Sequence, residues 1–226
     1  MRIELAALVR SLSLEEHRLG DLAVHTGVLG GRRVLATMTG IGVPAARDVT
    51  GRLIQATSVD HVVVVGIAGG VEPGLAIGDV VVPETVIAGW SGEAHQPAAL
   101  GGVTPRGRLL TTEALETGPD VLARRLAEGI TAVDMETAAV AEVCDREGVP
   151  WSVVRSISDR LSDDLVDSSF ADMVKPDGTP RAGATARYIA ANPLALRRLS
   201  RLARDAKVAA AAAARAAIAA CAEPVG

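Results

Sequence analysis

The chain has 226 residues, enough for one medium-sized α/β domain and tight for two. With 27 acidic against 23 basic residues the net charge is −4, which argues against a nucleic-acid binder and its usual basic patch. Apolar residues make up 49% but aromatics only 2%, so Val, Leu and Ala must fill the core and ring stacking can contribute little to ligand binding.

Ala23–Leu29 and Arg33–Met38 flank Gly30-Gly31, the signature of a two-residue hairpin. Thr39-Gly40-Ile41-Gly42 leads into a helix predicted from about Pro44 to Ala56, with Pro44 in its first turn. The β-branched run Val62–Val65 reads as a strand buried on both faces, ending in a glycine-rich loop, Gly66-Ile67-Ala68-Gly69-Gly70. Pro73-Gly74 and Gly78-Asp79 mark turns before a strand at Val80–Pro83. Ala88–Leu109, broken by glycines and prolines, reads as irregular loop and edge strand. Ile130–Val133 is a short strand. The helix Glu136–Arg146 places Ala139, Val140, Val143 and Cys144 on one face and stops at Gly148 and Pro150. Trp151–Ile157 is a further strand, closed by Ser158-Asp159.

Beyond it, Pro176-Asp177-Gly178-Thr179-Pro180 forms a turn before a helix around Ala184–Ala191. Asn192-Pro193 then caps a long C-terminal helix with an apolar stripe of Leu196, Leu199, Leu202 and Ala206 and arginines elsewhere. No internal repeat is evident. The expectation is one domain over residues 1–226 with a helical C-terminal extension from about residue 181.

Several chemistries are not expected. Cys144 and Cys221 form neither a disulfide framework nor a zinc pattern, and Cys144 falls on an apolar helix face. His17, His25, His61 and His95 lack metal-ligand spacing, so no metal is expected, and His95 reads as a loop histidine. Gly89-Trp90-Ser91-Gly92 resembles a nucleophile elbow only superficially, its second glycine coming one place early. The N-terminus shows no signal-peptide pattern. The alanine-rich Val208–Ala222 is short for a membrane span and interrupted by Arg215. A cytoplasmic protein with no stable membrane insertion is expected.

In an open α/β sheet, ligands bind beyond the carboxyl ends of the strands. Three polar features fall there: the Gly66–Gly70 loop, the Asp134-Met135-Glu136 junction and Ser158-Asp159. Singly, each has a plain structural explanation. A Glu opening a helix complements its dipole, and an Asp ending a strand, like Asp79 after Gly78, closes a turn.

Together they are more specific. Val64-Val65-Gly66-Ile67-Ala68-Gly69-Gly70, Leu75-Ala76-Ile77-Gly78-Asp79-Val80, Ala132-Val133-Asp134-Met135-Glu136-Thr137-Ala138-Ala139 and Val154-Arg155-Ser156-Ile157-Ser158-Asp159 occur in that order. This series resembles the nucleoside phosphorylase superfamily, in particular its methylthioadenosine/S-adenosylhomocysteine nucleosidase branch, over roughly Gly27 to Asp159. The tail, from Lys175-Pro176-Asp177-Gly178 to Arg204-Asp205, also resembles the hopanoid-associated members of that superfamily.

The resemblance implies a three-layer α/β sandwich with a central mixed sheet, and hydrolysis of the N-glycosidic bond of a purine nucleoside such as a 5′-modified adenosine. It implies no metal or organic cofactor, and a homo-oligomer with a dimer favoured. By the same resemblance Asp159 is the general acid on the base, with Ser158 beside it, and Glu136 holds the ribose hydroxyls, with Met135 packed on the sugar. Leu115, in Thr111-Thr112-Glu113-Ala114-Leu115, stands where relatives stack an aromatic ring on the purine.

Relatives carry an apolar strand before the Glu that activates the attacking water. Here only Met1-Arg2-Ile3 precedes Glu4, the candidate base; either that strand lies upstream of this start or a wall of the site is missing. Glu15 and Glu16 read as solvated. Ile67 occupies the place where phosphorolytic relatives keep a hydroxyl donor, which favours water over phosphate as nucleophile. Arg32, Arg33 and Arg47 remain possible sources of positive charge. Three alternatives stand: a phosphate-dependent phosphorylase, a non-catalytic nucleoside-binding protein, and, from the tail, an enzyme acting on a substrate with an apolar 5′ substituent.

Overall fold

The computed structural model describes residues 1–163, 183 and 195–222. Helix α1 (Arg2–Leu12) ends at a left-handed Ser13 and leads into an antiparallel meander of β1 (Glu15–Leu19), β2 (Leu22–Leu29) and β3 (Arg32–Ala36). Gly30 and Gly31 join β2 to β3 with φ of 57° and 78°, the positive pair a type I′ hairpin turn requires. Strand β1 was not legible in the sequence: Glu15-Glu16-His17-Arg18 is polar throughout and exposed, and pairing with β2 alone makes it a strand.

Then follow α2 (Val43–Ala56), β4 (Val62–Gly70), β5 (Val80–Val81), β6 (Thr85–Ala88), β7 (Ala94–His95), β8 (Arg108–Thr111), α3 (Pro119–Ala127), β9 (Ala132–Asp134), α4 (Thr137–Glu147), β10 (Trp151–Arg160) and α5 (Ala195–Ala222). Seven strands form a mixed sheet in the order β5-β10-β4-β9-β8-β6-β7. Strand β4 runs parallel to β10 and antiparallel to β9, while β9, β8 and β6 run parallel.

Side-chain alternation gives the sheet two apolar faces. Val62, Val64 and Ala68 of β4, with Val153 and Ile157 of β10, pack against α4 and α2 through Ala139, Val140, Cys144, Val43 and Ala46. On the other face Val63 and Val65 meet Val154, Ala217 and Ala220 of α5, and α1 packs along α5 through Ala7, Ala210 and Ala214. The result is three layers, as expected. Alanine dominates α5, which lets the helix approach closely with little side-chain bulk, while Arg197, Arg198, Arg201 and Arg204 point to solvent. No helix among the described residues is long and apolar enough to cross a membrane.

Four sequence expectations need correction. Gly66–Gly70 is not a loop but the second half of β4, because its backbone pairs with β10 and β9 on either side. The Val80–Pro83 strand shrinks to two residues. Within the Ala88–Leu109 stretch the expected edge strand forms as β7, but its His95 is a buried strand residue at 4% exposure rather than a loop histidine. The C-terminal helix is built into the sandwich against β10, β4 and α1 rather than appended to it. The turn at Pro176–Pro180, the helix around Ala184–Ala191 and the Asn192-Pro193 cap lie outside the described residues.

Candidate active site

The site is organised by one buried cation. Arg155 sits mid-strand in β10, 3% exposed, directly opposite Gly66 in the parallel register with β4. Its Nη2 lies 2.5 Å from Asp134 Oδ2, and Nη2 and Nε donate to Thr137 Oγ1 at 2.8 and 3.2 Å. The rest of the Asp134 carboxylate is satisfied too: Thr111 Oγ1 donates to Oδ1 at 2.6 Å and the Thr137 N–H to Oδ2 at 3.2 Å. Two further carboxylates face the same guanidinium, Glu136 Oε2 at 3.8 Å and Glu4 Oε1 at 4.0 Å. Gly66 permits this, since a Cβ there would overlap both Arg155 Nη1 and Glu4 Oε1.

Glu136 and Glu4 are each fixed by a backbone donor. The Gly42 N–H, at the start of α2, donates to Glu136 Oε1 at 2.9 Å, and the Ile67 N–H in β4 donates to Glu4 Oε1 at 2.9 Å. Glu136 is the residue that precedes α4, so its carboxylate sits at the positive end of that helix. Burial raises its pKa and Asp134 and Glu4 push the same way, while Arg155 and the Gly42 N–H pull it back.

Asp159 is placed by a bulge. Ile157 pairs with Ala68 and Asp159 with Gly69, so Ser158 is the extra residue in β10. The bulge turns Asp159 to the same cavity as Glu136, and Ser158 Oγ donates to Asp159 Oδ1 at 2.5 Å. Burial holds the Asp159 carboxyl above its ordinary value, with Asp163 adding to the rise and Ser158 opposing it. Burial thus raises both the Asp159 and the Glu136 carboxyl, but only Glu136 has a guanidinium, that of Arg155, opposing the rise.

All seven residues singled out from the sequence line one cavity of about 2510 Å³: Glu4, Ile67, Leu115, Met135, Glu136, Ser158 and Asp159. That exceeds the ~300–1,000 Å³ of an ordinary ligand pocket. From its polar end the cavity continues along an apolar flank formed by Leu8 and Leu12 of α1, Leu35 of β3, and Leu199 and Leu202 of α5. Ile67 turns its side chain toward Ala7, Ala210 and Ala214, so that position offers the site a backbone N–H and nothing more. Leu115 is 37% exposed at the rim. Arg47 is engaged elsewhere by Glu142, while Arg32 and Arg33 reach the cavity from the exposed β2–β3 hairpin.

Sequence reasoning missed Arg155, Thr111 and Thr137 and gave Asp134 no role. A signal was available for the first: Arg155 is the one charged residue within Trp151–Ile157. An arginine there needs buried anions, and three lie ahead of it in the chain.

The model of the family described as "Phosphorylase superfamily" matches residues 1–105 and 90–191. A 5′-methylthioadenosine/S-adenosylhomocysteine nucleosidase of Actinobacillus succinogenes is 34% identical over 173 residues, covering 64% of this chain and 75% of the relative. One from Shewanella denitrificans is 32% identical over 195 residues, covering 73% and 85%. Among solved structures, the Colwellia psychrerythraea nucleosidase of that name, in complex with adenine, superposes with a TM-score of 0.73 at 21% identity, over 100% of this chain and 95% of the other. The futalosine hydrolase of Helicobacter pylori does so with 0.71 at 19%, over 97% and 94%. The first motif-level reading and the matched residues agree: the chain belongs to the phosphorylase superfamily.

Proposed function

We propose that the protein hydrolyses the N-glycosidic bond of a purine nucleoside, a 5′-modified adenosine such as methylthioadenosine or S-adenosylhomocysteine, and releases the base. The observation that carries this reading is that one cavity is lined by three carboxyl groups, Asp159 hydrogen-bonded by Ser158, and Glu136 and Glu4 gathered at Arg155. The curated nucleosidases at 32–34% identity support it.

Breaking the bond sends its electron pair into the purine and leaves an oxocarbenium-like sugar. Asp159 donates its proton to the base at N7, making it a better leaving group. Glu136 accepts hydrogen bonds from the ribose hydroxyls, and its charge favours the developing cation. Met135 packs on the sugar and Leu115 covers the base. Glu4, fixed by the Ile67 N–H, takes a proton from the water that attacks C1′. The products are the free base and the free sugar, and no step calls for a metal or an organic cofactor.

Electrostatics favours water over phosphate. The Arg155 guanidinium is already engaged by Asp134 and faces Glu136 and Glu4, and the Met1 ammonium is paired with Glu4, so neither cation is left unpaired for an incoming phosphate dianion. Ile67 adds no hydroxyl. Proton NMR of the reaction in phosphate buffer tests this: a free 5-substituted ribose is expected, and a ribose 1-phosphate would assign the protein to the phosphorylases.

A second reading concerns the 5′ group. The apolar flank of the cavity, from Leu8 to Leu202, suits a large hydrocarbon substituent. Turnover of an adenosine bearing a long alkyl group at C5′ faster than methylthioadenosine would establish it. Homodimerisation in the cytoplasm belongs to the same proposal. Leu115 and Val28, at the rim and 37% and 64% exposed, are apolar surface that a second copy would cover, and light scattering would read it.

A further inference from the structure

A second polar cluster lies outside the cavity, between the sheet edge and α4. Glu93 immediately precedes β7 and His95 ends it, while Glu142 and Asp145, three apart, share a face of α4. One carboxylate oxygen each from Glu93 and Glu142 and one ring nitrogen of His95 lie within 4.8 Å of one another. His95 is 4% exposed, its Nδ1 is 2.7 Å from Asp145 Oδ2, and its Nε2 is buried with no hydrogen-bond partner among the described residues. Since Asp145 engages Nδ1, the nitrogen left for the two glutamates is Nε2. An unpaired imidazole nitrogen buried beside two carboxylates is costly unless something with positive charge joins them.

We infer that Glu93, His95 and Glu142 bind a divalent transition-metal ion, Zn²⁺ being the best match to one imidazole and two carboxylates. Zinc takes such nitrogen and oxygen ligands at ~2.0–2.2 Å, so each side chain need shift by less than ~1 Å to close on a common ion. The outer shell is already in place. Asp145 fixes the tautomer that leaves Nε2 free, and is itself held by Trp151 Nε1 at 2.7 Å. Glu142 is oriented by Trp90 Nε1 on Oε1 at 3.0 Å and by Arg47 Nη2 and Nε on Oε2 at 2.5 and 3.1 Å, which leaves Oε1 with the free lone pair for an ion. Around the ion the charged groups are Glu93, Glu142, Asp145 and Arg47, which leaves an anionic pocket for a cation. None of the three ligands lines the nucleoside cavity. The ion ties the β6–β7 hairpin to α4, the helix that follows Glu136, and its role is structural. Sequence spacing hides the set because Glu142 comes from a helix far along the chain.

Calorimetric titration of chelator-treated full-length protein with ZnCl₂, and with CoCl₂ followed by visible absorption, tests the inference. One equivalent is expected to bind, with a tetrahedral or five-coordinate Co²⁺ spectrum and a raised Tm. Glu93→Gln, at an exposed position outside the core, should weaken binding at least tenfold, and Asp145→Asn, acting through His95, by ~10–100-fold. Wild-type protein that binds no Zn²⁺, or Glu93→Gln protein that binds it as tightly as wild type, overturns the assignment.

Discussion

Arg155 and Asp134 form a buried ion pair at 2.5 Å, joining the middle of β10 to the end of β9. Both Asp134 oxygens and the Arg155 Nε and Nη2 are matched by Thr111, Thr137 or the Thr137 N–H, which helps such a pair tolerate burial. The pair also fixes the guanidinium against which Glu136 and Glu4 are arrayed. Arg155→Met, leaving Asp134 uncompensated, should cost about 3–5 kcal/mol in urea denaturation. Combining it with Asp134→Leu should restore much of that stability without restoring activity.

Gly66 faces the same guanidinium. A methyl group at that position would overlap Arg155 Nη1 and Glu4 Oε1. Gly66→Ala is therefore expected to lower kcat more than tenfold and to lower Tm, whereas Gly51→Ala, in open space on α2, should leave kcat unchanged. Equal activity of the two variants would show that Glu4 and Arg155 need not sit as described.

For Glu136, contact with the ribose hydroxyls is tested by substrate truncation. Glu136→Gln should reduce kcat/KM by about 10²–10³. Wild type should discriminate strongly against a 3′-deoxy analogue, and the variant should not. Discrimination that persists in the variant would place another group on the sugar.

Asp159 carries a pH signature in stability as well as activity. Its folded pKa lies above the ordinary 3.8, so the native state holds the proton more tightly than the unfolded chain does. Its favourable contribution is complete below the unfolded value and is lost as pH rises through the folded one. Asp159→Asn, unable to ionise, should accordingly gain Tm relative to wild type in neutral and alkaline buffer and show no gain in strong acid. A wild-type advantage at neutral pH would mean that Asp159 is a stabilising carboxylate instead.

Much of this was legible in the sequence for identifiable reasons. Val62–Val65 and Trp151–Ile157 announce central strands because burial on both faces leaves no room for polar alternation, and Gly30-Gly31 announces its hairpin because only glycine takes two positive φ values cheaply. Glu136 and Asp159 stood out as candidates because their motifs open a helix or close a strand, and both line the cavity. What stayed hidden depends on pairing. β1 is polar and becomes a strand only beside β2, the second half of β4 reads as a glycine loop until its neighbours are known, and Ser158 reveals its bulge only against Ala68 and Gly69. Arg155 was hidden for the same reason, since its three carboxylate partners come from α1, β9 and the start of α4.

The most direct test is adenine release from methylthioadenosine, S-adenosylhomocysteine and adenosine, with and without phosphate, by wild type, Asp159→Asn and Glu4→Gln. Release independent of phosphate is expected from wild type, with kcat lower by about 10²–10⁴ in each variant and nucleoside-analogue binding retained. Release that requires phosphate, or undiminished release by Asp159→Asn, would contradict hydrolysis driven by a proton from Asp159.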